Sequence, residues 1–243
     1  MTSGAESSPS PPPPEALAAA ARALAERHRE PAPPQPERSI LNLAESPRDD
    51  DWSLRAALVR LAQPEPVRAG AVLEIVRRCQ GGLAPLARAL ERHTVWSEPG
   101  LGPGSVTEAA AGGWTLADDG DRRPDIRLAD LARLAGGDPA ALDVVAGSYG
   151  AVAPLDPEEV AALGLVAVAV AIDGLAGELA RWAVTAEGPP PLAAVDHLCR
   201  RLAPELDRLG VPREIRPEDV PAGARRGGGE RGPGRRRPPS GSS

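Results

Sequence analysis

The chain contains no lysine, so all 28 of its basic side chains are arginine. That absence excludes a phosphate-binding-loop lysine, a Schiff-base lysine and the lysine that positions ATP in kinases. Phenylalanine is absent too, and with one Tyr, four Trp and one Met the core falls to Ala, Leu and Val. A core of that kind suits helices packed closely through small side chains. A mainly α fold is expected.

Cysteine is scarce as well. Cys79 and Cys199 make no disulfide framework and no zinc-ligand spacing. His28, His93 and His197 lie far apart, and His197 and Cys199, two positions apart on a helix, point to nearly opposite faces. Both thiols read as small buried hydrophobes. No Ser–His arrangement suggests a hydrolase triad. The opening "MTSGAESSPSPPPPEALAAA" lacks the basic start and long apolar stretch of a secretory signal. The most apolar run, "VAALGLVAVAVAIDGLAGELA", is interrupted by Asp173 and reads as a buried helix. These features lead to the expectation of a soluble, cytoplasmic protein without membrane contact.

What is present divides the chain into four parts. Residues 1–13 are Ser/Pro-rich and read as disordered. Residues 14–51 hold a helix pattern at 14–30 and a possible short strand, "RSILNLAES", at 38–46. Residues 52–209 carry a series of helix patterns. They include "DWSLRAALVRLAQ", a run over 67–93 that is one helix or two broken at Gly81-Gly82, "DIRLADLARLAG" and "DPAALDVVAGSYGAV". The next helix has a start signal, with Asp156 as N-cap, Pro157 in the first turn and Glu159 completing a capping box. A last helix is expected over about 190–209, and one strand pair near 106–118. Residues 210–243 form an Arg/Gly/Pro tail. Its last stretch, "ARRGGGERGPGRRRPPSGSS", sets six arginines (Arg225, Arg226, Arg231, Arg235, Arg236 and Arg237) against one acid, Glu230, in a chain of net charge −6. Such a tail can meet phosphates, but it has no aromatic residue to stack on bases, so nucleic acid is not the expected partner.

The stretch "VWSEPGLGPGSVTEAAAGGWTLADDGD" (95–121) carries most of the functional signal. A Gly/Pro-rich loop is followed by a short apolar strand and then by Asp118, Asp119 and Asp121 around Gly120. Loop, buried strand and carboxylates are the parts from which phosphoryl-transfer sites are built. Asp118 with Asp119 or Asp121 is a candidate metal pair, and an acidic turn facing water is the plainer alternative.

From residue 52 onward the order of elements resembles the C-terminal lobe of the aminoglycoside phosphotransferase/choline kinase-like family. The family's loop, H-G-D-x-x-P-x-N, leads to a strand, then to [I/V/L]-x-D-[F/W]-G, then to a D-L-A helix. "EPGLGPGSV", "WTLADDGD" and "LADLARLAGGD" lie on these parts in order. The resemblance implies a kinase-like helical lobe with a truncated or missing N-lobe. It also places Glu98 at the loop His, Pro99 at its Gly and Gly100 at the catalytic Asp. Leu101, Pro103, Gly104 and Val106 match scaffold positions, and Ser105 replaces the metal-holding Asn. Asp118 matches the metal-binding Asp, Gly120 is kept, and Asp130 matches the structural Asp of D-L-A.

The resemblance therefore comes with a degraded site. Base and second metal ligand are both replaced, and no lysine or Gly-rich covering loop is available for a nucleotide. The expectation is a noncatalytic, pseudokinase-like protein without a cofactor. It would act as scaffold or binding partner of another protein, a biosynthetic enzyme among the candidates. The alternative is an active or split phosphotransferase using ATP and Mg²⁺ on a small-molecule alcohol or on peptide Ser/Thr.

Overall fold

The computed structural model describes residues 11–33, 39–43, 53–110, 112–117, 120–185 and 188–213. Among them the chain forms α1 (Pro14–Arg27), α2 (Leu54–Leu61), α3 (Pro66–Leu83) and α4 (Ala87–Leu90). Four short strands follow: β1 (Thr94–Ser97), β2 (Val106–Glu108), β3 (Trp114–Leu116) and β4 (Arg123–Ile126). The second half is helical, with α5 (Arg127–Leu134), α6 (Pro139–Gly150), α7 (Pro157–Thr185) and α8 (Leu192–Arg208). The mainly α class expected from composition is what the chain adopts.

Its sheet content is two antiparallel ribbons. β2 and β3 make the pair expected near 106–118, with Val106 opposite Leu116 and Glu108 opposite Trp114. Gly112 and Gly113 both have positive φ, 85° and 82°, and close this ribbon in a conformation that favours glycine. The second ribbon pairs β1 with β4, Thr94 opposite Ile126 and Ser97 opposite Arg123. Sequence reading placed the start of a helix on Asp125 and Ile126, but those residues end β4 and the helix begins at Arg127.

Two further expectations are corrected. Residues 39–43, the described part of the possible strand at 38–46, form a 3-10 turn over Ile40–Asn42. Ser39 Oγ accepts the Leu41 N–H, and Asp125 accepts the Ile40 N–H, so side chains rather than a neighbouring strand satisfy this backbone. The run over 67–93, read as one helix or two broken at Gly81-Gly82, is α3 followed by the short α4, and it divides at 84–86 rather than at the glycines. α3 runs through both glycines to Leu83, and Pro85, which lacks an N–H, lies just past its end. Gly82 is there for packing: a Cβ on it would meet Leu165 of α7 at 3.1 Å.

α7 is the axis of the body, in contact with α2, α3, α5 and α8. It is 29 residues long and apolar enough to cross a membrane by length and composition. Ala162, Val166, Ala169, Ile172, Leu179 and Ala183 are nonetheless buried along it. Small residues again set the helix spacing, since a Cβ on Gly164 would lie 2.8 Å from Leu209. Cys79 is buried as expected, with its thiol on the Leu165 carbonyl and pushed up to about 12 by burial. Cys199 is only half-buried.

α1 belongs to the same core. Ala16, Leu17, Ala20, Ala21, Leu24 and Ala25 are buried at helical spacing, packed on α6 and on β3. Its exit continues the sheet, because Ala32 donates its N–H to the Thr94 carbonyl of β1. Leu24→Ala is therefore expected to destabilise the whole body by about 2–5 kcal/mol. Denaturant unfolding should keep one cooperative transition at a lower midpoint. A separate early transition for α1 would show that it is not integral.

Candidate functional site

The connection between β1 and β2 is the loop singled out by its sequence, and it rests on one buried carboxylate. Asp130, on the first turn of α5, is fully buried. Its Oδ1 accepts Ser97 Oγ at 2.6 Å and Arg133 Nη1 at 2.8 Å. Its Oδ2 accepts the Glu98 backbone N–H at 3.2 Å and faces His28 Nε2 at 3.1 Å. Since a carboxylate only accepts, the proton of this contact is on Nε2. In the neutral ring Nδ1 is then the acceptor for the Tyr149 hydroxyl, 3.0 Å away.

Arg133 extends the network. One turn beyond Asp130, it donates to Ser97 Oγ at 2.8 Å and to Asp125 Oδ2 at 3.2 Å. The other Asp125 oxygen accepts Ser39 Oγ and the N–H groups of Ile40 and Ile126. Burial drives the Asp130 carboxyl upward. The His28 hydrogen bond, the Arg133 charge and the Ser97 bond outweigh it, leaving the group below the ordinary carboxylate value. Burial likewise opposes the Arg133 charge, and Asp130, Asp125 and Asp173 together hold it above the usual guanidinium value. Tyr149 is pushed up to about 12, mainly by burial.

The loop positions themselves are occupied in holding the loop. The Glu98 side chain is buried, and its carboxylate takes Arg27 Nη1 at 2.7 and 3.0 Å, with Arg122 at 3.7 Å. Arg27 also donates to the carbonyls of Leu116 and Ala117, joining α1 to the loop and to the end of β3 at once. Ser105 ends a 3-10 turn over Pro103–Ser105. Its Oγ accepts the Gly102 N–H and its carbonyl accepts the Ala117 N–H. Gly100 has no side chain to act. Gly120 has φ 76°, which explains a glycine there. Asp121 is exposed, while Asp118 and Asp119 lie outside the described residues. The Arg-rich tail lies outside them too.

A second polar knot lies at the start of α7. The N–H of Asp156 donates to Glu159 Oε2 at 2.8 Å, the half of the expected capping box that the fold realises. The Asp156 carboxylate faces His93 Nε2, 2.8 Å away. Among the described residues, His93, Asp156 and Glu159 are the one trio of possible metal ligands. Both Glu159 oxygens, however, already accept Arg127, at 2.6 and 2.5 Å. A cation would have to displace a guanidinium that this bond and Coulomb attraction hold well charged. The trio is a helix-start lock.

Sequence reading found Glu98, Ser105 and Asp130 but not their partners Arg27, His28, Ser97, Asp125 and Tyr149. The Asp130/Arg133 spacing of one turn was the available signal for the ion pair. Nothing local marked His28 or Arg27, which arrive from 102 and 71 positions away. No protein-family model matches the chain, and no curated protein matches it.

Asp130→Asn is expected to cost about 3–5 kcal/mol at neutral pH, by leaving Arg133 short of a buried counter-charge. The sign in acid follows from its lowered pKa. Stability from Asp130 is fully present above the unfolded carboxylate value and is lost as pH falls through the folded one. Denaturant midpoints should therefore fall below about pH 4, and less steeply in the variant. Equal acid slopes would show that Asp130 is not the group being titrated.

Proposed function

We propose that this chain is a noncatalytic, phosphotransferase-like protein that acts as a binding or scaffold partner of another protein. The observation that carries the reading is the state of Glu98. It is the one acidic side chain on the loop, and it is buried against Arg27 rather than directed at an open space where a substrate hydroxyl would sit. General-base work needs a group within hydrogen-bond reach of the proton to be taken. Glu98 has no such freedom, Gly100 has no side chain, and Ser105 Oγ accepts from its own loop.

The scaffold supports the resemblance that motivates the name. β1, the loop, the β2–β3 ribbon, Gly120 at positive φ, β4 and a helix carrying Asp130 follow in the order that the family's motifs imply. Asp130 does structural work by holding the backbone at Glu98. ATP and Mg²⁺ have no part in this reading, because the chain has no lysine to position a nucleotide.

Calorimetry of the purified chain with ATP, with and without Mg²⁺, tests it directly. No binding is expected. The double variant Gly100→Asp with Ser105→Asn is also expected to show no ATP turnover on a panel of alcohols and peptides. It restores a base and a metal ligand but not the clamp that holds ATP in line. Mg²⁺-dependent binding, or turnover above the unmodified chain, would favour the active-phosphotransferase alternative.

A further inference from the structure

α2 and α3 form a helical hairpin that buries one side in the body, through Leu54, Ala57, Leu58 and Leu61 of α2 and Val72, Ile75, Val76 and Cys79 of α3. Between the two helices lies a cleft of about 520 Å³ with a floor of Leu58, Val59, Ala62, Gly70 and Leu73. Val59 is 64% exposed there, a β-branched side chain with little to pack on. A Cβ built on Gly70 would meet nothing within 4 Å, so the space over α3 is empty. Among the described residues the charged groups in this cleft are Arg55 and Arg77, and none of them is a carboxylate. A shallower depression continues past Arg55 and Val59 to Arg60 and Gln63, again without an acid.

In a chain of net charge −6, a cleft whose charged lining among the described residues is arginine is a local exception, and Arg77 is the one that can meet a partner, since Arg55 already interacts within the protein. We infer that the α2–α3 cleft docks an amphipathic helix of a partner protein whose apolar stripe is flanked by Asp or Glu. The dimensions match. α2 has 8 residues and is about 12 Å long, which covers the roughly 10 Å between positions i and i+7 of a docked helix. Leu or Ile at i, i+4 and i+7 would cover Val59 and fill the space over Gly70. The flanking carboxylates would meet Arg77, which is exposed and makes no ion pair among the described residues. Arg60 is a lesser contributor, since its guanidinium already meets the Ala183 carbonyl and the Trp182 ring.

This inference rests on the reading of the chain as a binding partner. ATP calorimetry and helix docking are separate readouts, so either can fail alone. The probes are Ala-based model helices of about 14 residues with Leu at i, i+4 and i+7. One is flanked by Glu and one by Lys, and a third scrambles the leucines of the first. Fluorescence anisotropy with the full chain should show saturable binding of the Glu helix, and binding of the Lys and scrambled helices weaker by about tenfold or more. Arg77→Glu should invert the preference between Glu and Lys. Gly70→Leu should abolish binding of both while leaving the melting temperature unchanged or higher, because it fills empty space and removes a helical glycine. Equal binding of all three helices, no binding of any, or unchanged binding to Gly70→Leu would overturn the proposal. So would self-association of the chain that Gly70→Leu abolishes, which would assign the cleft to a second copy.

Discussion

The buried carboxylate of Asp130 is the constraint on which the rest depends. A charge without contact with water is stable only if its lone pairs are occupied and its charge is matched. Here the matching groups come from five places in the chain: His28 after α1, Ser97 at the end of β1, the Glu98 backbone, Arg133 on α5 and, through His28, Tyr149 on α6. Satisfying one carboxylate thus fixes the relative placement of two helices, a strand, the loop after it and the N-terminal helix. Few single apolar contacts specify so much geometry, because apolar contacts are not directional. Removing a member leaves its neighbours buried and unpaired, which makes the network costly to perturb and selects one arrangement over others.

The same economy of groups explains why the loop reads as a scaffold. A catalytic loop keeps some side chains under-committed, so that they can meet a substrate or metal. In this loop the polar side chains close on the protein itself. Glu98 neutralises Arg27, Arg27 in turn holds the end of β3 through two carbonyls, and Ser105 satisfies Gly102. Each bond that stabilises the loop removes an acceptor or donor from possible chemistry. An arginine from α1 entering beside the buried Glu98 is a self-consistent pair. A glutamate there without that arginine would be a buried, unmatched charge.

How much of this was legible in the sequence depends on the range of the interaction. Helix patterns in 14–30 and 157–185 were clear because apolar spacing and the Asp156-Pro157-Glu159 start are local. The strand pair at 106–116 was visible from a Gly-rich turn between short apolar runs. β1 and β4 were not, since four residues give no periodicity and each exists by pairing with the other across 26 to 32 positions, from Ser97 opposite Arg123 to Thr94 opposite Ile126. Residues 38–46 looked strand-like by composition, but a hydrogen-bonded Asp125 from a distant segment converts 39–43 into a turn. Gly81-Gly82 looked like a break, because the closeness of Leu165 that calls for Gly82 cannot be read along the chain. In the site, the residue identities were legible and their pairings were not.

Composition joins these observations. With no Phe and few other aromatics, the body gains its density from Ala and Gly at helix crossings, as at Gly82 against Leu165 and Gly164 against Leu209. Close crossings leave little room for adjustment, so the helices around α7 are held in register and the polar network is held with them. The α2–α3 hairpin is the exception. Its outer cleft has an open glycine and an exposed valine where the inner helices have interlocked small residues. Packing and openness thus divide along the chain: the helices around α7 interlock at their glycines, while the cleft between α2 and α3 is open at Gly70.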